Sequence, residues 1–277
     1  MRLRSLLFVP GDRPDRMGKA LGSGADAIIL DLEDSVALAH KADARAATIG
    51  FLHGARPIPV LVRVNPLGSP YGNDDLAALR EVRADGIMLP KAEGAASIHA
   101  LASWTGLPIL PIATETPAAI FALGSYGEVR DRLLALTWGA EDLPAAIGAT
   151  SAREADGRYT APMEMARALA LFAAHAAQVP AIETVYPDFR NLDGLAAYAA
   201  RGARDGFTGM MAIHPDQVPV INRAFTPGEA EIAAARAIIE AFAADPHAGV
   251  LAIDGKMVDA PHLAQARRLL ERAGEVA

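Results

Sequence analysis

Short apolar runs recur along the chain at residues 6–9, 27–30, 60–64, 86–89, 109–113, 133–138, 181–185 and 210–213, and each is closed by polar, proline or glycine residues. Between them lie Ala-, Leu- and charge-rich stretches whose apolar positions have helical spacing, among them 13–21, 41–51, 76–82 and 163–177. Short, almost wholly apolar strands alternating with helices predict a parallel sheet covered by helices. Eight such units is the number that closes a (β/α)8 TIM barrel. The rival architecture, a doubly wound open sheet, calls for a G-x-G-x-x-G turn after its first strand. Pro10-Gly11-Asp12-Arg13 stands there instead, and Gly22-Ser23-Gly24, before the second run, reads as a helix end.

The widest gap separates the sixth and seventh runs. Its residues 147–160 are small and polar and read as a loop over the barrel mouth. After the eighth run the pattern predicts a helix over 230–243, a segment 245–259 and a last helix over 261–274. Pro227 and Pro261 sit where helices start, with Thr226 and Asp259 as nearby caps. The expected organisation is therefore a barrel over 1–224 and a C-terminal helical arm or lid over 225–277 without an independent core. A length of 277 residues suits one barrel, whose typical size is about 250.

Composition narrows the function. A hydrophobic content of 52% excludes a disordered chain. A net charge of −7 argues against a general nucleic-acid binder, which carries a basic face. The absence of cysteine excludes a disulfide framework, a zinc-thiolate site, an iron–sulfur cluster and a cysteine nucleophile. No apolar run approaches the roughly 18 residues of a membrane span. The N-terminus is basic and then apolar, but its apolar stretch of five residues meets Gly11-Asp12-Arg13 and is too short for a signal-peptide core. It reads as the first strand of a cytoplasmic protein.

Barrel active sites lie at the C-terminal ends of the strands. The pattern places Asp31, Glu33, Asp34, Arg63, Asn65, Lys91, Glu93, Glu115, Glu141, Asp142, Asp188 and His214 there. So many carboxylates with few cations repel one another, and a divalent ion relieves that repulsion. Oxygen ligands alone, completed by water and substrate, suit Mg2+, and no H-E-x-x-H pair points to zinc. Asp34, Glu93 and Asp188 read as helix caps. Glu115 precedes Thr116-Pro117, which can itself start the helix, and Asp142 follows the small residues Gly139-Ala140; these two read as the metal ligands. Strand alternation points Arg63 away from Val62 and Val64, toward the barrel interior, where it needs an anion. It serves as a salt bridge to Asp31 or Glu33, as a fork for a carboxylate or enolate oxygen, or as both. Lys91 is considered as a Schiff-base lysine, and the neighbouring Glu93 argues against it, because a paired ammonium keeps a high pKa. His214-Pro215 reads as a turn. No Ser/His/Asp set with a nucleophile elbow is visible.

These residues, taken in order, resemble the citrate lyase β-subunit-like branch of the HpcH/HpaI aldolase family. The resemblance runs through Arg4-Ser5-Leu6-Leu7-Phe8-Val9-Pro10-Gly11-Asp12, Arg16-Met17, Lys19-Ala20, Asp31-Leu32-Glu33-Asp34-Ser35-Val36, Lys41, Arg63-Val64-Asn65, Leu89-Pro90-Lys91, Thr114-Glu115-Thr116, Gly139-Ala140-Glu141-Asp142-Leu143, Ile213-His214-Pro215-Asp216-Gln217 and Asp254-Gly255-Lys256-Met257-Val258-Asp259-Ala260-Pro261. It departs at Ala37-Leu38, where the family often has proline, and near Asn191, where it often has aspartate. It implies a Mg2+-dependent barrel (Mn2+ being the alternative ion) that cleaves or forms the C–C bond of a citryl-, malyl- or citramalyl-CoA, giving acetyl-CoA and a 2-oxo acid. By matching motif, Glu115 and Asp142 bind the metal, and Arg63 meets the acyl portion and stabilises the enolate. The amides of Gly139, Ala140 and Glu141 meet the carboxylate, and Arg16 and Lys19 meet coenzyme A phosphates. Asp259 is the acid inserted into a neighbouring subunit's site, in a homo-oligomer built as a trimer or a multiple of three. The alternatives are a malyl-CoA thioesterase, a CoA-independent pyruvate-class aldolase and a carrier-dependent component of a citrate lyase.

Overall fold

The structure, a computed structural model, describes residues 2–275. Met1, Val276 and Ala277, and with them the outermost ends of the two expected segments, lie outside the described residues. The chain divides into two compact units, Met1–Asn222 and Arg223–Ala277.

The first unit is a (β/α)8 TIM barrel. Its strands are β1 (Ser5–Pro10), β2 (Ala27–Asp31), β3 (Val60–Arg63), β4 (Gly86–Leu89), β5 (Ile109–Pro111), β6 (Leu136–Thr137), β7 (Ala181–Glu183) and β8 (Gly209–Ala212). They pair in parallel in the order β5-β4-β3-β2-β1-β8-β7-β6. Parallel bridges from Ile109 to Leu133 and from Ile112 to Thr137 join the two ends. Leu134 N–H donates to the Ile109 carbonyl at 2.8 Å and Ala113 N–H to that of Thr137 at 2.9 Å, so the cylinder closes. The expected strand over 133–138 is thus regular only at Leu136–Thr137, with Leu133 held by a single bridge.

The strands' period-two alternation sorts their side chains. Leu6, Ala27, Ile29, Leu61, Met88, Leu110, Ile112, Ala135, Ile182 and Met211 form one buried cluster, with Phe8 and Val185 against it. Two residues beyond Ile29 and Leu61, the same inward direction reaches Asp31 and Arg63, which are partners in the β2–β3 register. The strand pattern thus delivers an acid and a guanidinium side by side at one end of the barrel.

The helices of this unit are α1 (Pro14–Ala20), α2 (Lys41–Leu52), α3 (Pro70–Ala78), α4 (Ala95–Ala102), α5 (Pro117–Ala122), α6 (Asp142–Ala146), α7 (Ala161–Ala176) and α8 (Leu192–Asp205), followed by α9 (Gln217–Ala224). Two begin with the combination of a capping hydroxyl and a proline. The Ser69 hydroxyl accepts from Gly72 N–H at 3.0 Å, and that of Thr116 accepts from Ala119 N–H at 3.1 Å. Ser69-Pro70 starts α3 six residues before the apolar spacing suggests. Asp34, Glu93 and Asp188 are not the caps expected of them. Gly94 precedes α4, the Asn191 side chain caps α8 by accepting from Gly194 N–H at 2.9 Å, and Asp34 turns toward Arg63.

The second unit contains α10 (Glu229–Ala244), an antiparallel hairpin of β9 (Val250–Ile253) and β10 (Lys256–Asp259), and α11 (Ala260–Ala273). Gly228, rather than Thr226, stands at the N-cap of α10, and its N–H donates to Glu231 at 2.8 Å. The hairpin turns on Asp254-Gly255, whose φ values of 49° and 75° are the left-handed pair a two-residue hairpin loop requires. The unit has a small apolar cluster of its own, in which Ala235, Ala266 and Leu270 are buried among Ile232, Ile238, Ile239 and Leu269. Asp259 ends β10 and occupies the N-cap position of α11, with its Oδ1 2.5 Å from Nδ1 of His262. Among the described residues, no helix is long and apolar enough to cross a membrane.

Candidate active site

Asp31 and Arg63 form a two-point ion pair, with Nε to Oδ1 at 2.6 Å and Nη2 to Oδ2 at 2.7 Å. Asp31 also accepts the backbone N–H of Glu33 at 2.9 Å and of Ser35 at 3.0 Å, so it shapes the loop that follows β2. That loop presents Glu33 and Asp34 to the remaining guanidinium nitrogen, Arg63 Nη1, at 3.0 and 3.4 Å. Burial opposes the charge of Asp31, but the Arg63 bond outweighs it and holds the carboxyl below its ordinary range. Arg63 is held above the arginine range by the same acids against the cost of its own burial. Glu33 goes the other way, because burial raises it more than Arg63 and Lys91 lower it. Behind the loop, the buried Lys41 ammonium donates to the Leu32 and Glu33 carbonyls, both at 2.7 Å. Asn65 joins Leu32 to Asp75, and Asp75 is paired with Arg45.

The second half of the site centres on Lys91, directly after β4. Its backbone is left-handed, with φ 51°, a conformation sparsely populated by residues with a side chain. Its N–H donates to Glu115 Oε2 at 2.5 Å. Its ammonium donates to Glu33 Oε1 at 3.0 Å and lies 3.2 Å from Asp142 Oδ1. Burial works against the ammonium's charge, yet Glu33, Glu115 and Asp142 together hold it above the ordinary lysine range, which argues against a Schiff-base role. The acid that does this is chiefly Glu33, not the sequence neighbour Glu93, whose carboxylate accepts from Thr116 at 2.7 Å. Glu115 is pushed up to about 8 by burial first, and then by the like charges of Asp142 and Glu33, with the Lys91 N–H pulling the other way.

Gly139 lies against Glu115. A Cβ added there would sit 2.8 Å from Glu115 Cγ and 3.1 Å from Ile112 Cγ2. The Gly139 N–H donates to the Thr114 hydroxyl at 3.0 Å, and that hydroxyl lies 3.1 Å from the Gly139 carbonyl, which ties the ends of β5 and β6 together. Gly139→Ala is therefore expected to destabilise the fold by about 1–3 kcal/mol through overpacking. Gly18→Ala, inside α1 where an added Cβ meets nothing within 4 Å, is expected to be neutral or slightly stabilising. Denaturant melts of the two variants test the contrast.

One cavity of about 1040 Å3 opens at this end of the barrel. It is lined by Arg63, Glu115, Gly139, Ala140, Glu141 and Asp142 and by Arg16 and Lys19 from α1, so all but one of the expected site residues share it. The exception is Asp259, which belongs to the second unit. Its apolar lining includes Leu7, Ile112, Val185 and Met211. Phe189 and His214, also in the lining, stack on each other with centroids 5.0 Å apart. None of the residues 147–160, expected as a loop over the barrel mouth, is in this lining. Tyr159 ties the loop to the end of β6 through its ring, which meets Trp138 edge-on at 5.1 Å, and its hydroxyl takes a bond from Arg153 within the loop at 2.8 Å.

Two buried sets of polar groups had no role in the sequence reading. One is the Lys41–Asn65–Asp75 brace. The other surrounds Glu183, fully buried, which accepts from Trp138 Nε1 at 2.5 Å, Tyr198 OH at 2.9 Å and Arg167 Nε at 2.7 Å. The signal for the second was a glutamate interrupting the apolar run 181–185. The first left only single polar residues, Lys41 and Asp75 in helices and Asn65 just beyond β3.

The side-chain oxygens of Glu115 and Asp142 are of the kind a hard cation takes. Among the described residues no group of three or more His, Cys, Asp or Glu side chains is placed to hold one ion, so a zinc-type cage is not built here. Two carboxylates beside a guanidinium and an ammonium suit an ion that completes its shell with water and substrate oxygens, as Mg2+ does. A dication beside Glu115 would relieve the penalty that burial and the neighbouring acids place on its charge.

The comparisons agree with this chemistry. A citrate lyase subunit beta-like protein of Mycobacterium tuberculosis is 37% identical over 269 residues, covering 97% of this chain and 95% of that protein. A (3S)-malyl-CoA thioesterase of Cereibacter sphaeroides is 36% identical over 287 residues, covering 99% and 95%. A crystal structure of CitE from M. tuberculosis, in complex with magnesium, acetoacetate and coenzyme A, superposes with a TM-score of 0.88 at 36% identity, covering 99% of each chain. The family model for HpcH/HpaI aldolase/citrate lyase matches residues 4–215, and the chain belongs to that family.

Proposed function

We propose that this chain is a Mg2+-dependent acyl-CoA lyase that splits a β-hydroxyacyl-CoA into acetyl-CoA and a 2-oxo acid, or joins them. The observation that carries the reading is the meeting of Glu115, Asp142 and Arg63 in one cavity that Arg16 and Lys19 also line. Glu115 and Asp142 hold Mg2+, or Mn2+ in its place. The bound ion supplies Lewis acidity that lowers the pKa of a substrate hydroxyl and offsets carboxylate charge.

This chain's own groups do the rest. The backbone N–H groups of Gly139, Ala140 and Glu141 receive the substrate carboxylate. In cleavage the hydroxyl proton passes to water in the open cavity, a C=O bond forms at the carbinol carbon, and the adjacent C–C bond breaks. Its electron pair enters the thioester as an enolate. Arg63, already fixed by Asp31, stabilises the charge that grows on the enolate oxygen only in the transition state. Arg16 and Lys19 meet the phosphates of coenzyme A. Asp259, carried on the 225–277 arm of a neighbouring copy in a homo-oligomer, gives the proton that turns the enolate carbon into a methyl group. Asp259→Asn is expected to abolish exchange of acetyl-CoA methyl protons with deuterated water; exchange at the wild-type rate would remove the residue from the mechanism.

The test of the reading is a panel of citryl-, malyl- and citramalyl-CoA with Mg2+, in which oxaloacetate, glyoxylate, pyruvate, acetyl-CoA and free CoA are detected separately. Equal amounts of oxo acid and acetyl-CoA support the lyase. The similarity to a malyl-CoA thioesterase supports a second reading, in which free CoA appears with malate and without glyoxylate. Turnover of free hydroxy-oxo acids alone, or only of carrier-bound substrates, overturns both.

A further inference from the structure

We propose that Lys91 is a positioning residue that orients both metal-binding carboxylates, one through its backbone and the other through its side chain. The inference rests on the reading of Glu115 and Asp142 as metal ligands. Two such ligands reach the site from different strands, Glu115 beyond β5 and Asp142 beyond β6, so their mutual geometry needs a common reference. Lys91 supplies it. Its left-handed backbone sends an N–H to Glu115 Oε2, while its ammonium lies against Asp142 Oδ1. One oxygen of each carboxylate is thereby engaged and the other is left for an ion. Glu33 Oε1 accepts from the same ammonium, and Glu33 Oε2 lies 3.0 Å from Arg63 Nη1. Arg63 is fixed in turn by Asp31. A continuous arc of alternating charge, Asp31–Arg63–Glu33–Lys91–Asp142, thus ties the substrate-facing guanidinium to the metal-facing carboxylates. Charged partners of this kind fix the direction in which a metal-binding carboxylate points, and their loss weakens metal binding about 10–100-fold.

A lysine that only balances charge would act on any divalent ion alike. A lysine that sets geometry matters more for Mg2+, which demands near-ideal octahedral ligands, than for Ca2+, which accepts irregular ones. The experiment is calorimetric titration of the full-length protein, stripped with EDTA, with MgCl2 and with CaCl2. Lys91→Met is expected to weaken Mg2+ binding about 10–100-fold and Ca2+ binding clearly less. Mg2+ affinity within about threefold of wild type, tighter Mg2+ binding, or equal loss for both ions would each overturn the positioning role. If Lys91→Met does not fold, Glu33→Met removes the acceptor that holds the ammonium. It should show the same Mg2+-selective loss, and equal loss for both ions would again count against the proposal. Wild-type protein that takes up no Mg2+ at all would overturn the metal reading itself, and this inference with it.

Discussion

Glu115→Gln is expected to lower kcat/KM at least about a thousandfold, equivalent to about 4 kcal/mol of lost transition-state stabilisation, and to do so without destabilising the metal-free protein. The two halves have one cause. The carboxylate is 4% exposed, and burial, Asp142 and Glu33 all penalise its charge. In the absence of an ion that charge is a liability to the fold. Glutamine keeps the shape and still accepts the Lys91 N–H, but carries no charge to offset. Melting of the EDTA-treated variant at pH 7 should therefore occur at or above the wild-type temperature, while Mg2+ should raise the melting temperature of the wild type alone. A variant that keeps Mg2+-dependent turnover of every acyl-CoA tested would remove Glu115 as a ligand. One that is inactive but markedly less stable without metal would show instead that the carboxylate serves the fold. Functional groups held against the preference of the fold are a usual cost of an active site.

Much of this arrangement is legible in the residues because a barrel converts sequence order into position. Once eight apolar runs are recognised, the polar residues that follow them share one end of the cylinder. Alternation along β3 turns Arg63 inward, and the parallel register sets it beside Asp31. Glu115 is separable from a cap because Thr116-Pro117 supplies the helix start. What local pattern could not supply is the partner choice of Lys91. Glu93 is near in sequence, but the backbone turns left-handed at Lys91 and the ammonium crosses to Glu33 and Asp142. The caps misread at Glu93 and Asp188 have a similar origin, since the N-cap position falls one and three residues later, at Gly94 and Asn191. The β9–β10 hairpin carried its signal in Asp254-Gly255, but four-residue strands with exposed alternate positions give a weak period-two pattern.

Arg63→Met is expected to fail twice, and the two failures can be measured apart. In catalysis, losing the group that meets the enolate oxygen should cost about 3–4 kcal/mol, a fall of roughly two to three orders of magnitude in kcat. In stability, the variant leaves Asp31, which is 1% exposed, without its counter-ion, and breaking a buried pair from one side costs about 3–5 kcal/mol. Lysine at this position keeps a charge but not the two-point fork, so Arg63→Lys should recover part of the stability and little of the rate. The stability loss has a pH signature. Asp31 has a depressed pKa in the folded protein, so the stability it contributes is fully present above the ordinary aspartate pKa of about 3.9 and is lost as pH falls through the lower native value. In Arg63→Met burial is opposed only by the bonds from Glu33 and Ser35, so the Asp31 pKa rises and the variant loses most of what ionising it contributes. Denaturant melts should therefore show the wild type's advantage largest at neutral pH and shrinking as pH falls from the variant's raised Asp31 pKa toward the wild type's lowered one. A constant difference across that range would mean that Arg63 stabilises the barrel by packing, such as its contact with the Phe8 ring at 4.9 Å, and not through the acid beside it.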